Sequence, residues 1–179
     1  PSRTYADVLK DRHDMALFEH YTTCQLARVD VRAPGSRVNL GLPAAIRRAS
    51  PSPDGRYVLV DSMVPPYVYM LPAGRFPRRV EVWRLDTGAA VSTVAELPLQ
   101  DRIPLAFDGV GRGPRAIGWR SDADATLYWA EAQDGGDPSA DVPVRDAVYT
   151  LEAPFVVDAK ARLASLAWRF NGLVWGDDG

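Results

Sequence analysis

Arg79-Val80-Glu81-Val82-Trp83-Arg84-Leu85 alternates polar and apolar side chains, apart from the adjacent pair Val82-Trp83. Successive side chains of a β-strand point to opposite faces of a sheet, so this alternation predicts a strand that is buried on one face. Asp86-Thr87-Gly88 follows directly and is typical of a hairpin turn, and residues 89–94 form the predicted returning strand. The stretch therefore predicts antiparallel β-structure.

The same order of strand, short polar turn and strand recurs along the chain. Trp119-Arg120 comes before a turn at residues 121–124, and Trp168-Arg169 comes before a turn at residues 170–172. An earlier turn, Pro53-Asp54-Gly55, lacks the Trp-Arg pair. A spacing of about 50 to 70 residues lies in the upper range for four-stranded propeller blades with inserted loops. We therefore predict an all-β fold, a β-propeller segment, with a β-sandwich as the alternative.

The predicted domain organisation has two parts. Residues 1–20 form a short helical N-terminal segment, in which Thr4-Tyr5-Ala6-Asp7 fits a capping box. Residues 21–179 form an incomplete β-propeller.

The predicted propeller holds about two full four-stranded blades, residues 44–97 and 115–157, with partial flanking blades. Residues 163–169 and 173–175 are predicted to open a later blade. Because a propeller closes to hide its strand edges, we expect the missing blades in another chain or in the rest of a longer polypeptide.

The composition excludes several classes of function. The chain has 21 Lys and Arg against 23 Asp and Glu, a formal net charge of −2, which gives no general attraction to nucleic acid or anionic lipid. Its apolar runs are far shorter than the about 20 residues of a membrane span. One cysteine and two histidines, Cys24, His13 and His20, nearly exclude a zinc site, so neither a metal nor another cofactor is predicted. Cys24 is predicted to be a small buried residue.

Asp134-Gly135-Gly136-Asp137 offers two carboxylates on a short turn. Carboxylates suit calcium, but the stretch is too short for a calcium loop of the helical-hand type. A flexible hairpin tip is the favoured interpretation.

Five segments resemble the propeller of the glutamyl endopeptidases, a branch of the prolyl oligopeptidase family. They are residues 17–26, 51–57, 74–83, 103–108 and 126–137. The most specific features are Arg75-Phe76-Pro77 and Asp134-Gly135-Gly136-Asp137, in this order.

The resemblance implies a serine endopeptidase in which a propeller packs on an α/β-hydrolase domain with a Ser-Asp-His triad. The triad serine lies in a Gly-x-Ser-x-Gly elbow, and this chain has no such sequence. The resemblance therefore predicts no catalytic residue here, and it makes the chain the substrate-access part of the peptidase. The expected partners are a peptide or protein substrate, the remaining blades and the hydrolase domain.

The implied location is periplasmic or secreted, because the chain begins at Pro1 without an initiator Met and the family is usually exported. A non-enzymatic propeller that binds a protein or peptide is the alternative function.

A connection rich in proline and aromatic residues, at residues 63–75, separates two predicted strands. The resemblance implies that such a connection borders the substrate cavity. Arg75, or in second place Arg78, is the candidate to bind an acidic substrate side chain through a bidentate contact. The alternative is that Arg75 pairs with a neighbouring Asp or Glu while the aromatic residues cover the edge of a blade.

Overall fold

The computed structural model describes Tyr5, residues 8–104 and residues 106–176. In this part of the chain, nine strands accompany one α-helix and two short 3-10 helices. The strands form two antiparallel sheets, one of five strands and one of four. The chain divides into two compact units, each built around one sheet. No helix in the described part is long and apolar enough to cross a membrane.

Unit 1 contains the described residues up to Ser50 together with Val58–Asp101. Its sheet has the order β1-β2-β3-β4-β5, and helix α1 (Arg12–Thr22) precedes the first strand. The strands are β1 (Thr23–Asp30), β2 (Ala33–Pro51), β3 (Tyr57–Met63), β4 (Arg78–Arg84) and β5 (Ala90–Leu97). A single 3-10 turn, Ala73–Arg75, lies in the long connection between β3 and β4.

Unit 2 contains Pro51–Tyr57 and the described residues from Arg102 onward. Its sheet has the order β6-β7-β8-β9. The strands are β6 (Arg115–Trp119), β7 (Thr126–Ala132), β8 (Asp146–Glu152) and β9 (Ala161–Leu166), with a 3-10 turn at Val157–Ala159 before β9. The early segment Pro51–Tyr57 is fastened by the Asp54 amide, which donates to the Asp124 carbonyl (3.1 Å), and by the Tyr57 ring, which packs edge-on against Phe155 (5.0 Å between centroids).

Helix α1 begins within the predicted N-terminal helical segment, residues 1–20, and ends at Thr22, just beyond it. The Asp11 carboxylate caps its first turn by accepting from the amide of Asp14 at 2.9 Å. The hydroxyls of Thr22 and Thr23 donate to the carbonyls one turn back, which closes the last turn. The predicted capping box at residues 4–7 lies outside the described residues, apart from Tyr5.

The hairpin predicted from the alternating stretch is confirmed, with one local difference. Strands β4 and β5 pair antiparallel, and the register shifts twice, between Val80 and Glu81 and between Val82 and Trp83. Val82 and Trp83 are both buried, although successive side chains of a strand point to opposite faces and burial on one face alone would expose one of them. Trp83 packs with Val58, Val60 and Leu40 in one core of unit 1.

The prediction of a mostly β fold is confirmed, but the strands are grouped differently. Strand β1 and the part of β2 before residue 44, which precede the predicted blade at residues 44–97, belong to the same five-stranded sheet as β3, β4 and β5. Strand β9, expected to open a later blade, is the fourth strand of the second sheet. Each strand pairs with the next strand along the chain, and local sequence patterns do not show how many consecutive strands join one sheet.

Two further predictions are wrong. Residues 173–175 form no strand, and the segment docks through side chains instead: the Trp175 ring contacts the Arg120 guanidinium (4.3 Å) and the Tyr128 ring (5.3 Å). Cys24 is exposed rather than buried, because it lies on β1, which is an edge strand of its sheet.

Candidate functional site

The aromatic connection between β3 and β4 packs against helix α1. The Phe18 ring of α1 lies edge-on to Tyr67 and to Phe76, with ring centroids 5.1 and 5.5 Å apart. Tyr67 and Phe76 are both buried and share a core cluster with Ala45 and Met63. Burial, with a smaller contribution from Glu19, raises the pKa of the Tyr67 hydroxyl. The connection thus supplies a second core of unit 1.

A largely apolar groove of about 440 Å³ lies between this connection and the N-terminal part of unit 1. Its walls are Val8, Leu9, Lys10, Asp14, Phe18, Leu71, Ala73 and Phe76. The Lys10 amide donates to the Asp14 carboxylate at 3.0 Å, so this carboxylate is already engaged by the backbone.

Arg75 lies in the 3-10 turn of the connection and binds the backbone rather than a carboxylate. Its Nη1 donates to the Gln100 carbonyl at 3.3 Å, and the Gln100 amide donates back to the Arg75 carbonyl at 2.9 Å. The reciprocal pair fastens the connection to the residues that follow β5. The bond engages part of a half-buried guanidinium that carries five N–H donors.

Arg78 converges with a second arginine on one carboxylate. Its Nη1 lies 2.8 Å from Asp61 Oδ2, and Nη1 of Arg47 lies 3.6 Å from the same oxygen. Strands β2, β3 and β4 each supply one of these residues, which we call the arginine–aspartate triad. The exposed fraction of the side chain is 34% for Arg47, 23% for Arg78 and 19% for Asp61. The other oxygen, Asp61 Oδ1, is buried and accepts no hydrogen bond from the described residues.

A groove of about 290 Å³ adjoins Arg78. Its walls are Val64, Pro77, Arg78, Arg79, Glu96, Leu97 and Pro98. Arg79 and Glu96 form an exposed ion pair at 3.1 Å and so neutralise each other. The structure therefore places both predicted arginines, Arg75 and Arg78, in unit 1, and it adds Arg47, which the sequence did not single out because the strand register that brings it to Asp61 is not visible in one sequence.

A second charge cluster lies in unit 2 and involves the Asp134-Gly135-Gly136-Asp137 turn. The side chains of Asp134 and Asp146 are fully buried (0% exposed), and that of Arg169 is 9% exposed. Nη1 and Nη2 of Arg169 donate to the two oxygens of Asp134 at 2.9 and 2.6 Å, and Nη1 also reaches Asp146 Oδ1 at 3.1 Å. We call these residues, with Arg115 and Arg145, the buried charge cluster.

The remaining contacts saturate the two carboxylates of the buried charge cluster. Asp134 also accepts from Arg145 Nη1 at 3.2 Å and from the Gly136 amide at 2.9 Å. Asp146 accepts from Arg115 and from the Phe170 amide. The turn lies in the connection of the β7–β8 hairpin, and its first carboxylate, Asp134, is buried there. In the described part of the chain, no three His, Cys, Asp or Glu side chains are grouped to hold a metal ion.

Opposing effects set the ionisation of the buried charge cluster. Burial alone raises the pKa of Asp134, but hydrogen bonds from Arg169 and the Gly136 amide, with the Arg169 charge, lower it below its ordinary value. Burial alone lowers the pKa of Arg169, and its bonds to Asp134 and Asp146 raise it above the ordinary value. The fold therefore stabilises the charged form of both groups.

The chain is similar over nearly its whole length to part of two plant peptidases. It is 41% identical over 177 residues to "Probable glutamyl endopeptidase, chloroplastic" of Oryza sativa subsp. japonica, and 42% identical over 177 residues to the protein of the same name from Arabidopsis thaliana. Each match covers 98% of this chain but only 19% and 18% of the respective relative. The resemblance to glutamyl endopeptidases is thus confirmed, and the chain corresponds to one segment of these longer relatives.

The other comparisons add no argument. No protein-family model matches the chain. A crystal structure of an uncharacterized protein from Listeria monocytogenes EGD-e is 9% identical and has a TM-score of 0.47, covering 79% of this chain and 33% of that one. A likeness at this level does not assign a fold.

Proposed function

We propose that this chain is the substrate-access part of a serine endopeptidase similar to the glutamyl endopeptidases, within the prolyl oligopeptidase family. The observation that carries the proposal is 41–42% identity over 98% of the chain to relatives with that name. The catalytic α/β-hydrolase domain then lies outside the 179 residues, in agreement with the lack of a Gly-x-Ser-x-Gly sequence.

The proposed architecture is an incomplete β-propeller at residues 21–179 after a helical segment at residues 1–20. Its support is the pair of open antiparallel sheets, of five and four strands, that follow each other along the chain. Strands β1, β5, β6 and β9 lie at sheet edges, and a propeller protects such edges by placing further blades beside them. The remaining blades and the hydrolase domain are the proposed partners.

Arg75 and Arg78 are the proposed substrate-binding residues. Both belong to or follow the aromatic connection, which is stiffened by its buried rings. Each guanidinium keeps donors beyond its one contact with the chain, so each is able to bind a carboxylate of a peptide substrate.

The experiment compares the 179-residue chain with the longer protein that carries this segment. The longer protein is expected to hydrolyse peptides after glutamate and to be silenced by a serine-directed fluorophosphonate, whereas the short chain is expected to be inactive. Hydrolysis by the short chain would overturn the proposal. Peptide binding without hydrolysis by the longer protein would favour a non-enzymatic binding module instead.

We also propose a periplasmic or secreted location for this protein. Cell fractionation with an antibody against the chain tests it. Recovery in the soluble fraction of spheroplasts, with a cytoplasmic marker, would contradict it.

A further inference from the structure

We infer that Arg47 and Arg78 together form a carboxylate-binding site that takes the acidic side chain of a peptide. The inference rests on the proposed function, and it adds Arg47 and Asp61 to the residues considered there. Four observations carry it: the shared face of the sheet, the charge balance, the degree of burial and the contrast with a neighbouring ion pair.

The three residues of the arginine–aspartate triad lie on one face of the first sheet. Arg47 lies two residues after Ala45 on β2, and Asp61 lies two residues before Met63 on β3. Ala45 and Met63 belong to the same core cluster, and side chains two residues apart in a strand share a face. The triad therefore lies on the face of the sheet that also carries the Tyr67 and Phe76 cluster.

The triad is one negative charge short of neutrality. Two guanidinium groups share a single carboxylate, and both contact the same oxygen, Asp61 Oδ2. Each guanidinium has five N–H donors in a planar fork, so most donors of Arg47 and Arg78 are not used by Asp61. A second carboxylate would complete the charge balance and bind through charge-assisted hydrogen bonds, which are the strong ones.

The burial of the triad suits a ligand site. At 34% and 23% exposure, the side chains of Arg47 and Arg78 are shielded enough to strengthen an ion pair and still open to solvent on one side. Asp61 lies on the strand between them and holds both guanidinium groups against the sheet. A carboxylate that enters therefore meets donors that are already ordered, which lowers the entropic cost of binding.

The Arg79–Glu96 ion pair is a comparison for the triad, because its positive and negative charges balance. Arg79 is the next residue along β4, it lines the groove beside Arg78, and it is paired one-to-one with Glu96. Its side chain is 47% exposed and that of Glu96 is 68% exposed, so this pair has neither the excess charge nor the shielding of the triad. Arg79 is therefore the matched control.

The experiment measures the binding of two fluorescein-labelled peptides to the protein. The peptides differ only in one residue, which is Glu in one and Gln in the other. The longer protein is used after inactivation by a fluorophosphonate, and hydrolysis of the same peptides is measured without the inhibitor. Arg47→Gln and Arg78→Gln are each expected to weaken binding of the Glu peptide about tenfold or more, and binding of the Gln peptide by less than about threefold. Arg79→Gln is expected to leave both unchanged.

A Glu-to-Gln preference that is unchanged in both Arg47→Gln and Arg78→Gln would overturn the inference, as would loss of the preference in Arg79→Gln alone. If a glutamine variant fails to fold, Arg47→Lys and Arg78→Lys are used instead. Lysine keeps the positive charge but lacks the planar guanidinium, so a smaller loss of the preference for the Glu peptide is expected. An unchanged preference in both lysine variants contradicts the site.

The two proposals fail in different ways. Arginine-dependent preference for the Glu peptide without any hydrolysis by the uninhibited protein would refute the peptidase and support the carboxylate site. Hydrolysis after glutamate with the same preference in wild type and in both glutamine variants would support the peptidase and refute the site.

Discussion

The arginine–aspartate triad of unit 1 and the buried charge cluster of unit 2 use the same side chains in different ways. In the triad, Asp61 is 19% exposed and one of its oxygens accepts no hydrogen bond in the described structure. In the buried charge cluster, Asp134 and Asp146 are 0% exposed and both oxygens of each are bonded. A fully buried carboxylate must be satisfied by the chain itself, because an unpaired buried charge is very costly. The buried charge cluster therefore contributes to stability, whereas the partly exposed triad is the site that we propose for binding.

The repeated Trp-Arg pair shows the same contrast between local and long-range pairing. Arg120 bonds Asp122, two residues further along the turn, at 2.7 and 3.0 Å. Arg169 instead reaches Asp134, 35 residues away, and the carbonyl of Asp108, 61 residues away. The two Trp-Arg pairs are identical in sequence, but their arginines differ in how far along the chain their hydrogen-bond partners lie.

The largest effect is expected from Arg169→Met. The change leaves Asp134 and Asp146 buried without their shared partner, so the free energy of unfolding is expected to fall by about 3 to 5 kcal/mol. Urea denaturation followed by tryptophan fluorescence measures it. The matched control is Arg120→Met, which removes a partly exposed ion pair and a contact with Trp175, at an expected cost of about 1 kcal/mol. Equal losses in the two variants would show that the long-range ion pairs of Arg169 stabilise the fold no more than the local pair of Arg120.

The next effect concerns the turn that presents Asp134. Gly135 and Gly136 both have positive φ, of 68° and 85°. A Cβ on Gly136 would collide with the backbone oxygen of Val110, whereas the nearest atom to a Cβ on Gly135 is 3.8 Å away.

Gly136→Ala is therefore expected to cost about 2 kcal/mol or more, and Gly135→Ala about 1 kcal/mol from the left-handed backbone alone. Thermal denaturation of both variants measures the difference. A larger loss in Gly135→Ala would mean that the turn is not held against Val110.

A smaller effect is expected from acidification. The pKa of Asp134 is lower in the folded chain than its ordinary value near 3.9, so the unfolded chain binds the proton first. The stabilisation is present above about pH 4 and is lost as the pH falls through the folded-state value.

The free energy of unfolding, measured in urea at pH 6, 4 and 3, should fall on acidification in wild type and fall less steeply in Asp134→Asn. Asp141→Asn, at an exposed carboxylate, serves as the control and should keep the wild-type slope. An identical slope in wild type and Asp134→Asn would show that the ionisation of Asp134 does not contribute.

The smallest effect is expected from Arg79→Gln, which removes an exposed ion pair with Glu96. Exposed pairs contribute little, so a change of less than about 1 kcal/mol in the free energy of unfolding is expected. If Arg79→Gln lowered the free energy of unfolding as much as Arg169→Met, exposure to solvent would not explain the difference between the ion pairs of unit 1 and the buried charge cluster of unit 2.

The sequence predicts the strands better than it predicts their grouping. Alternation and turn residues at 79–88 are local signals, and the β4–β5 hairpin follows from them. Local signals do not show where one sheet ends and the next begins, so the joining of β1 and β2 to β3 is not predicted, although these strands follow one another in the chain.

The same limit applies to the charged residues. Arg78 was predicted from its place near the aromatic connection, but its partner Asp61 is 17 residues away and its neighbour Arg47 lies on another strand. The burial of Asp134 depends on Arg169, which no pattern within the turn reveals. Charge alone marks these residues in the sequence, and the fold decides whether each is an anchor or a surface group.

The position of Pro51–Tyr57 limits how the coding sequence can be cut so that each unit stays complete. The segment belongs to unit 2, although Ser50 and Val58 on either side of it belong to unit 1. A gene fragment that begins at Arg102 would encode the four strands of the second sheet but not the Tyr57 ring that packs on Phe155, nor the Asp54 amide that bonds Asp124. No single crossover between genes can therefore transfer unit 2 complete and leave unit 1 intact behind it.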